Sequence, residues 1–441
     1  ADMDVKQLSR WMEEKHNYLL TALVVVFIAQ VICMIFSYSC THDEKVHVAS
    51  GLCYLKTGKF AGGWNNPPAA QLFLSIPYWL GLAQFDLLHN NAPNAARLMN
   101  CGLGLLFSLA VYGLARVLSG KNGSLLALSL CVFSPTITGL SAVAGTDVAV
   151  AAFGAIAMLV LVWALGNDSF IGYIIVGLSC GLACAAKFSG FGIPVVVMFV
   201  YLTHKHRSWA HICKASVVLT LVTWLTFSSF YLFEGCFIEK PHLKDSKFKS
   251  AVGYFLPKRA VFNMRVVSRQ ATLGRDVRIL GVESTEGLWW YYPAVFLMKT
   301  PFGTLLLIAS TLLLLTKISL KEPPTEFRIF CCFVLLVAPI FLFNRAQCGV
   351  RHLTVAYPYL LASIAAFLTK SKNKLFTYLV VLVIVLNIGT TVGQFPHNIS
   401  FHNGLGSLLC DDEFVVYGPD LDWGQDEYFL ANKLGTLPKD V

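Results

Sequence analysis

Charged side chains are scarce in this sequence. Aspartate, glutamate, lysine and arginine together make up 13% of the 441 residues, whereas hydrophobic residues make up 56%, and the mean hydropathy is +0.62. A soluble domain typically carries about 25% charged residues and needs no such apolar excess. The scarcity of charge therefore excludes a soluble protein and predicts a polytopic membrane protein.

The sequence also lacks a glycine-rich phosphate-binding loop, an internal repeat and a low-complexity tract. Without the glycine-rich loop, nothing in the chain is suited to cradle the phosphates of ATP. This absence argues against an ATP-driven pump, and no feature indicates a nucleic-acid partner.

Apolar runs of about 20 residues mark the places where the chain is expected to cross the bilayer. They predict an all-α protein with about eleven transmembrane helices, near residues 18–37, 96–117, 124–144, 147–166, 170–186, 190–203, 210–233, 288–316, 327–343, 352–369 and 375–393. The first run has no small-residue cleavage site near its end, so we expect it to be a retained helix and not a signal peptide.

Basic residues in the short connections predict the orientation. They fall on the same side as the N-terminal basic residues Lys6, Arg10 and Lys15, at Arg116 and Lys121, His204 to Arg207, Lys317 and Lys321, and Lys370, Lys372 and Lys374. By the positive-inside rule this side is the cytoplasm. We therefore expect a transmembrane domain over 1–393, with outer loops at 38–95 and 234–287, and an outer C-terminal segment over 394–441.

The two outer loops differ in character. The first contains the apolar stretch AAQLFLSIPYWLGLAQF, which is short and includes Pro77. We expect a helix lying in the membrane interface, with Tyr78 and Trp79 at headgroup level; the alternative is a twelfth span, which would spoil the charge alternation. The loop 234–287 is strongly basic and suits an anionic partner, either lipid headgroups or a phosphate-bearing substrate.

Ionisable residues gather at the outer ends of several predicted spans. They are Asp43 and Glu44 after the first span, Asp147 before the fourth, Lys187 in the next outer turn, and Arg345, Arg351 and His352 before the tenth. Taken singly, each is explained as an anchor that reaches the interface. Their coincidence at one level instead suits transfer from a phosphate-linked donor. The candidate catalytic carboxylates, one of which would take a proton from an acceptor hydroxyl, are Asp43, Glu44 and Asp147. The candidate ligands of the leaving phosphate are Lys187, Arg345, Arg351 and His352.

Two further patterns carry less chemistry. The aromatic run 289–292 is typical of an interfacial belt. Five cysteines outside the spans could form disulfides in an oxidising compartment, although their spacing does not indicate a pairing: Cys40, Cys53, Cys236, Cys348 and Cys410.

Six motifs, in order along the chain, resemble one family. They are THDEKVHVASGLCYLKTGKF with NNPPAAQLFL, SPTITGLSAVAGTDVAVAAF, GLACAAKFSG, GLWWYYPAVFLMKTP, CGVRHLTVAYPYL and LDWGQD. The chain resembles, from about residue 38 onward, the polyprenyl-phosphate-dependent membrane glycosyltransferases of the GT-C fold. These are the bacterial relatives of protein O-mannosyltransferases and of the lipid A aminoarabinose transferase.

The resemblance implies roles for the residues named above. Asp43 matches the family's catalytic base, and Asp147 matches a second acidic residue that positions the site or helps to hold a divalent metal ion. Basic positions near the carrier phosphate match Lys187, Arg345 and Arg351. One departure concerns Asn65 and Asn66, which stand where relatives carry an acidic and then a basic residue; it weakens the expectation of a metal. The family's outer C-terminal domain looks short or incomplete here.

The resemblance further implies a polyprenyl-phosphate-linked sugar as donor, membrane lipids as surroundings, and a hydroxyl of a lipid, glycan or protein as acceptor. A bacterial inner membrane with the site facing the periplasm is expected. The main alternative is a catalytically degenerate subunit of a membrane assembly, for which a blocked outer cavity is expected. A transporter is disfavoured because the ionisable residues lie at span ends and not near mid-membrane.

Overall fold

The computed structural model describes residues 11–60, 65–86, 92–167, 169–204, 208–238, 253–371, 373–406, 408 and 423–435. Several residues used above lie outside these ranges. They are Lys6, Arg10, Lys205 to Arg207, Lys372, Cys410 and Asp422, together with residues 239–252 of the basic loop.

The predicted all-α architecture is confirmed, since each of the eleven apolar stretches is helical over most of its length. The helices in the first half are α1 His16–Ser37, α2 Glu44–Thr57, α3 Pro68–Trp79, α4 Asn94–Val132, α5 Pro135–Ser141, α6 Asp147–Asn167, α7 Phe170–Ala186, α8 Gly192–Thr203 and α9 Trp209–Ser229. Those in the second half are α10 Lys258–Leu273, α11 Tyr291–Lys299, α12 Phe302–Leu315, α13 Thr325–Phe343, α14 Tyr357–Lys370, α15 Lys374–Gln394 and α16 Glu427–Gly435. The part of the chain that the structure describes includes one small antiparallel hairpin, β1 Val277–Ile279 with β2 Val282–Ser284.

By length and composition, seven of the described helices could cross a membrane, or eight if a bent pair counts as one span. The short apolar helices α7 and α8 fall below that length. Helix α4 has 39 residues but is broken at Gly120, whose φ of 77° lies in the left-handed region that glycine favours. Two predicted spans therefore meet within α4.

The boundary predicted for the third span is wrong. The run 124–144 is not one helix, because α4 ends at Val132 and α5 begins at Pro135. Pro135 cannot donate a backbone hydrogen bond to the preceding turn, and the Ser134 side chain caps the new helix by accepting from the Ile137 N–H. The Ser-Pro pair signalled this break.

The residues predicted as one span, 288–316, form two helices instead of one. Helices α11 and α12 are bent by 115° at Thr300 and Pro301. Thr300 is extended, as a residue before proline tends to be, and Pro301 then starts the next helix. Of the aromatic run that precedes the bend, Trp289 is exposed but Tyr291 and Tyr292 are each only 1% exposed, so the prediction of an interfacial belt is wrong for the two tyrosines.

The first predicted outer loop folds into α2 and α3, which pack closely. A Cβ at Gly51 would lie 2.1 Å from the Gln71 carbonyl oxygen, so only glycine allows this approach. Helix α3 is too short to span a bilayer. Trp79 is half exposed, as a headgroup contact would be, whereas Tyr78 is buried and its hydroxyl accepts from the Ala96 N–H, which corrects the prediction for that residue.

Helix α6 packs against both α4 and α7, and α14 packs against α4 and, less extensively, against α6. Alanine, glycine and valine dominate the buried face of α6, and small side chains let helices approach closely. The N-terminus of α6, the C-terminus of α7 and the 3₁₀ turn Val350–Ala356 before α14 meet at one end of the bundle.

Candidate active site

A cavity of about 680 Å³ lies at that end of the bundle. Its walls combine two carboxylates, three cationic side chains, two histidines and several amides. The residues that carry this chemistry are Asp43, His47, Asn65, Asn66, Asp147, Lys187, Gln270, Arg275, Asn344, Arg351 and His352. The structure therefore brings together five of the seven residues that the sequence indicated.

Asp43 stands at the N-cap position of α2, but its side chain makes no capping hydrogen bond. Instead, Arg351 Nη1 donates to Asp43 Oδ2 over 2.8 Å. Burial alone would raise the pKa of Asp43, yet the positive charge and the hydrogen bond of Arg351, with a smaller contribution from Lys187, hold it below its ordinary value. Asp43 is thus a carboxylate at neutral pH.

A second ion pair lies beside the first. Asp147, the first residue of α6, accepts a hydrogen bond from Lys187, the extended residue that ends α7. Both side chains are mostly buried within the cavity wall. The cavity thus holds two carboxylates, each paired with a cation from a different part of the chain.

His352 belongs to a hydrogen-bonded group that fixes its tautomer. The Ala346 N–H donates to Asn344 Oδ1, so the Asn344 amide nitrogen is the donor that faces His352 Nδ1 at 3.2 Å. The Tyr292 hydroxyl lies 2.8 Å from the same Nδ1. Because Nδ1 accepts, the ring proton sits on Nε2, which leaves His352 a neutral hydrogen-bond donor.

His47 is the other histidine of the cavity, and it is buried in α2. Burial lowers its pKa below the ordinary value, against the opposing effect of the Asp43 carboxylate. His47 is therefore a neutral group beside Asp43 at physiological pH.

Glu44 lies outside the cavity wall. It is 1% exposed and accepts two hydrogen bonds from the fully buried Arg97, at 2.8 and 2.7 Å. Its oxygens also accept from the N–H groups of Thr41 and Ala144. Every one of these contacts is internal and supports the loop that carries Asp43, so the structure does not bring Glu44 to the cavity where the sequence analysis expected it.

Arg97, the partner of Glu44, also binds the backbone at the end of α1. Its guanidinium donates to the carbonyl oxygens of Ile35, Tyr38 and Ser39, so it caps the C-terminal end of α1. Sequence reasoning missed Arg97, although an arginine at the start of a long apolar run was a signal.

Arg345, expected near the carrier phosphate, has an exposed side chain that does not line the cavity. Arg275 lines it instead, and its Nη1 donates to Cys348 Sγ over 3.1 Å. The sequence placed Arg275 within a broadly basic loop without singling it out. Cys348 is one of four free cysteines among the five that were considered for disulfides, together with Cys40, Cys53 and Cys236.

The arrangement does not suit a metal ion. Within the described ranges, no three side chains of His, Cys, Asp or Glu are grouped so that they could hold one. Asn65 and Asn66 are neutral, and both carboxylates are already paired with cations.

Comparisons with known proteins agree with this architecture. Residues 75–232, which is less than half of the chain, match the model of the dolichyl-phosphate-mannose-protein mannosyltransferase family. No curated protein sequence matches the chain.

Solved structures show the fold. ArnT from Cupriavidus metallidurans, bound to undecaprenyl phosphate, matches with a TM-score of 0.59 at 13% identity over 90% of this chain and 66% of that chain. The Archaeoglobus fulgidus oligosaccharyltransferase, tethered to an acceptor peptide, matches with a TM-score of 0.59 at 12% identity over 87% of this chain and 55% of that chain. The chain thus spans less than two thirds of the length of either match. The resemblance noted in the sequence is confirmed, and the chain is an integral membrane protein with the GT-C glycosyltransferase fold.

Proposed function

We propose that the protein is a membrane glycosyltransferase that moves a sugar from a polyprenyl-phosphate donor to a hydroxyl of a lipid, glycan or protein. The observation that carries the proposal is the pair of carboxylate–cation contacts on one cavity, Asp43 with Arg351 and Asp147 with Lys187. An anionic donor needs the cations, and a neutral acceptor hydroxyl needs a carboxylate.

The donor phosphate is assigned to the cationic wall of the cavity. Lys187 and Arg351 supply charge, and Arg275 and the Nε2–H of His352 supply further donors. This assignment is supported by the fold match with ArnT, which was solved with undecaprenyl phosphate, and with the archaeal enzyme AglB, which was solved with a dolichol-phosphate at a TM-score of 0.55. Arg345 is left outside this group because its side chain lies away from the cavity.

Asp43 is assigned the role of general base. While it is paired with Arg351 its basicity is low, because the guanidinium stabilises the carboxylate form. A donor phosphate that draws on the same guanidinium weakens this stabilisation and makes Asp43 a better base. Donor binding therefore prepares the base for the acceptor.

The reaction is then a single displacement. The acceptor oxygen attacks the anomeric carbon, the bond from that carbon to the phosphate oxygen breaks, and the hydroxyl proton passes to Asp43. Polyprenyl phosphate leaves as an anion held by Lys187 and Arg351, so it needs little acid assistance. One displacement inverts the configuration at the anomeric carbon.

The position of the reaction is proposed from the charge pattern of the sequence. By the positive-inside rule the basic connections support a cytoplasmic N-terminal side. We therefore propose that the cavity faces outward, which in a bacterium is the periplasmic face of the inner membrane. An outward-facing cavity can receive an acceptor hydroxyl from a lipid, a glycan or a protein. It also leaves room for a partner subunit in the membrane.

A catalytically degenerate subunit is the second candidate, favoured by the neutral Asn65 and Asn66 in the cavity wall. A blocked cavity was the expectation for that alternative. The cavity described here, with Asp43 on its wall, offers room for a sugar phosphate, and this supports the transferase.

Release of polyprenyl phosphate from polyprenyl-phosphate sugars, followed by mass spectrometry in lipid nanodiscs, tests the proposal. Wild type is expected to release the carrier only when an acceptor hydroxyl is present, and Asp43→Asn is expected to release none. Glu283→Gln, on the exposed hairpin, is the matched control that removes a carboxylate elsewhere. A wild type that neither binds nor consumes any donor of this class would favour the degenerate subunit.

A further inference from the structure

The C-terminal residues 423–435 lie against the loop that carries Asp43. The His42 N–H donates to the Trp423 carbonyl oxygen over 3.0 Å, and the Ser39 N–H donates to that of Gln425 over 2.9 Å. The Tyr428 N–H in turn donates to Ser39 Oγ over 2.7 Å. Main-chain bonds thus tie this distant segment to the residues just before Asp43.

Gly424 makes this close approach feasible. Its φ of 91° is a conformation that side-chain-bearing residues rarely adopt, and a Cβ there would lie 3.2 Å from the Cys40 carbonyl oxygen. The tryptophan–glycine–glutamine sequence therefore matches the geometry of the contact.

Trp423 reaches the Arg351–Asp43 pair directly. The indole is 6% exposed, and the Arg351 guanidinium carbon lies 4.3 Å from its ring centroid. The same guanidinium donates through Nε to the Cys348 carbonyl oxygen and through Nη1 to Asp43. The indole lies against the guanidinium and, with these two bonds, restrains the orientation in which Arg351 meets Asp43.

The segment is held in place independently of Asp43. Fully buried Gln425 accepts from the Trp423 N–H and donates to Asp426 Oδ2, each over 2.7 Å. Asp426 Oδ1 is 2.8 Å from His397 Nδ1, beyond the end of α15, and Phe429 packs edge-on against the His397 ring. Trp423 therefore approaches Arg351 from a segment that is anchored to a different part of the bundle.

We propose that Trp423 is a positioning residue, which holds Arg351 in the orientation in which it pairs with Asp43. Residues 423–428 then form a clamp, meaning a segment that holds the loop 38–43, which ends at Asp43. This inference rests on the proposed transferase function for its catalytic meaning. Trp423 contacts neither donor nor acceptor in this account; it acts through Arg351.

Without the indole, Arg351 loses one of its restraints and stabilises the Asp43 carboxylate less. The pKa of Asp43 then rises toward its ordinary value. Since the carboxylate is the active form, the acid limb of the pH profile of kcat/KM moves to higher pH. A cation–π contact at a largely desolvated site corresponds to a loss of roughly tenfold in kcat/KM.

The experiment compares Trp423→Ala, Trp423→Phe and the control Trp209→Ala, whose indole is 81% exposed. The pH profile of transfer is measured for each, and amide hydrogen exchange of residues 38–43 is measured in protein without substrate. Trp423→Ala is expected to move the acid limb upward and to speed exchange at Ser39 and His42. Trp423→Phe retains an aromatic ring, so its acid limb and its exchange rates at Ser39 and His42 are expected to stay close to those of wild type. Trp209→Ala is expected to change neither the acid limb nor these exchange rates.

Two results overturn the inference. One is a Trp423→Ala variant whose rate falls with an unmoved acid limb, which would make Trp423 merely structural. The other is unchanged exchange over residues 38–43. If wild type transfers no sugar, the proposed function fails separately, and the exchange measurement still decides whether the clamp exists.

Discussion

Arg351 and Asp43 are 308 positions apart in the sequence, yet the guanidinium of one donates to the carboxylate of the other over 2.8 Å. The contact joins the start of α2 to the 3₁₀ turn before α14. It therefore links the proposed phosphate-binding wall of the cavity to the proposed base.

The pH dependence of transfer should report this contact. Since Arg351 lowers the pKa of Asp43, wild-type activity is expected to fall with decreasing pH only below the ordinary range of an aspartate. Arg351→Gln should raise the pKa of Asp43 and move this acid limb to higher pH, with a loss of roughly 10²–10³-fold in kcat. Rates measured across pH in a buffer of constant ionic strength check the shift, and an acid limb that stays in place in Arg351→Gln would contradict the assignment of the base.

Donor affinity distinguishes Lys187 from Arg345. Lys187→Met should weaken the binding of polyprenyl phosphate at least tenfold, because it removes a positive charge from the cavity wall and leaves Asp147 unpaired. Arg345→Met and the control Lys321→Met should bind as wild type, since both side chains are exposed outside the cavity. Binding is measured by native mass spectrometry with a lipid titration. Equal losses in Lys187→Met and Arg345→Met would return Arg345 to the binding site.

The Tyr292 hydroxyl should contribute through His352. Tyr292→Phe removes one partner of His352 Nδ1 but retains the packed ring, so the tautomer that leaves Nε2–H as donor is less strongly fixed. Loss of one hydrogen bond corresponds to about 0.5–1.5 kcal/mol, or roughly two- to tenfold in donor affinity. The same lipid titration checks this. Tyr18→Phe, at a 75% exposed position, is the control, and identical affinities for the two variants would remove Tyr292 from the account.

Neighbouring carboxylates should separate into catalytic and structural roles. Glu44→Gln leaves Arg97 buried without its ionic partner and is expected to cost about 3–5 kcal/mol of folding free energy. Asp43→Asn, at a partly exposed site, should lose transfer activity with little change in thermal stability. Thermal unfolding in detergent measures both. A Glu44→Gln variant with wild-type stability and no activity would restore the catalytic role expected from the sequence.

Much of the fold could be predicted from the sequence because apolar runs of bilayer length have few alternatives to helices. The places where a helix is interrupted inside an apolar run were harder to predict from the sequence. Pro135 and Pro301 both interrupt runs that remain apolar on either side, and hydropathy alone does not register them. The proline rules for backbone donors would have found both.

The candidate site was predictable where charge stands out against an apolar background, as at Asp43, Asp147 and Lys187. Pairing was not predictable, because it joins helices that are distant in sequence. Arg97 could have served any carboxylate, and only the fold shows that it binds Glu44 and leaves Asp43 to Arg351. Nothing in the sequence, apart from the motif LDWGQD, indicated that Trp423 lies against Arg351.

The most direct test of the central claim is a density map of the protein in lipid nanodiscs with added polyprenyl phosphate. The account predicts density for a phosphate in contact with Lys187 and Arg351, near His352, with open space beside Asp43 for an acceptor hydroxyl. A phosphate bound elsewhere, or a cavity closed by side chains or by a partner subunit, would contradict it.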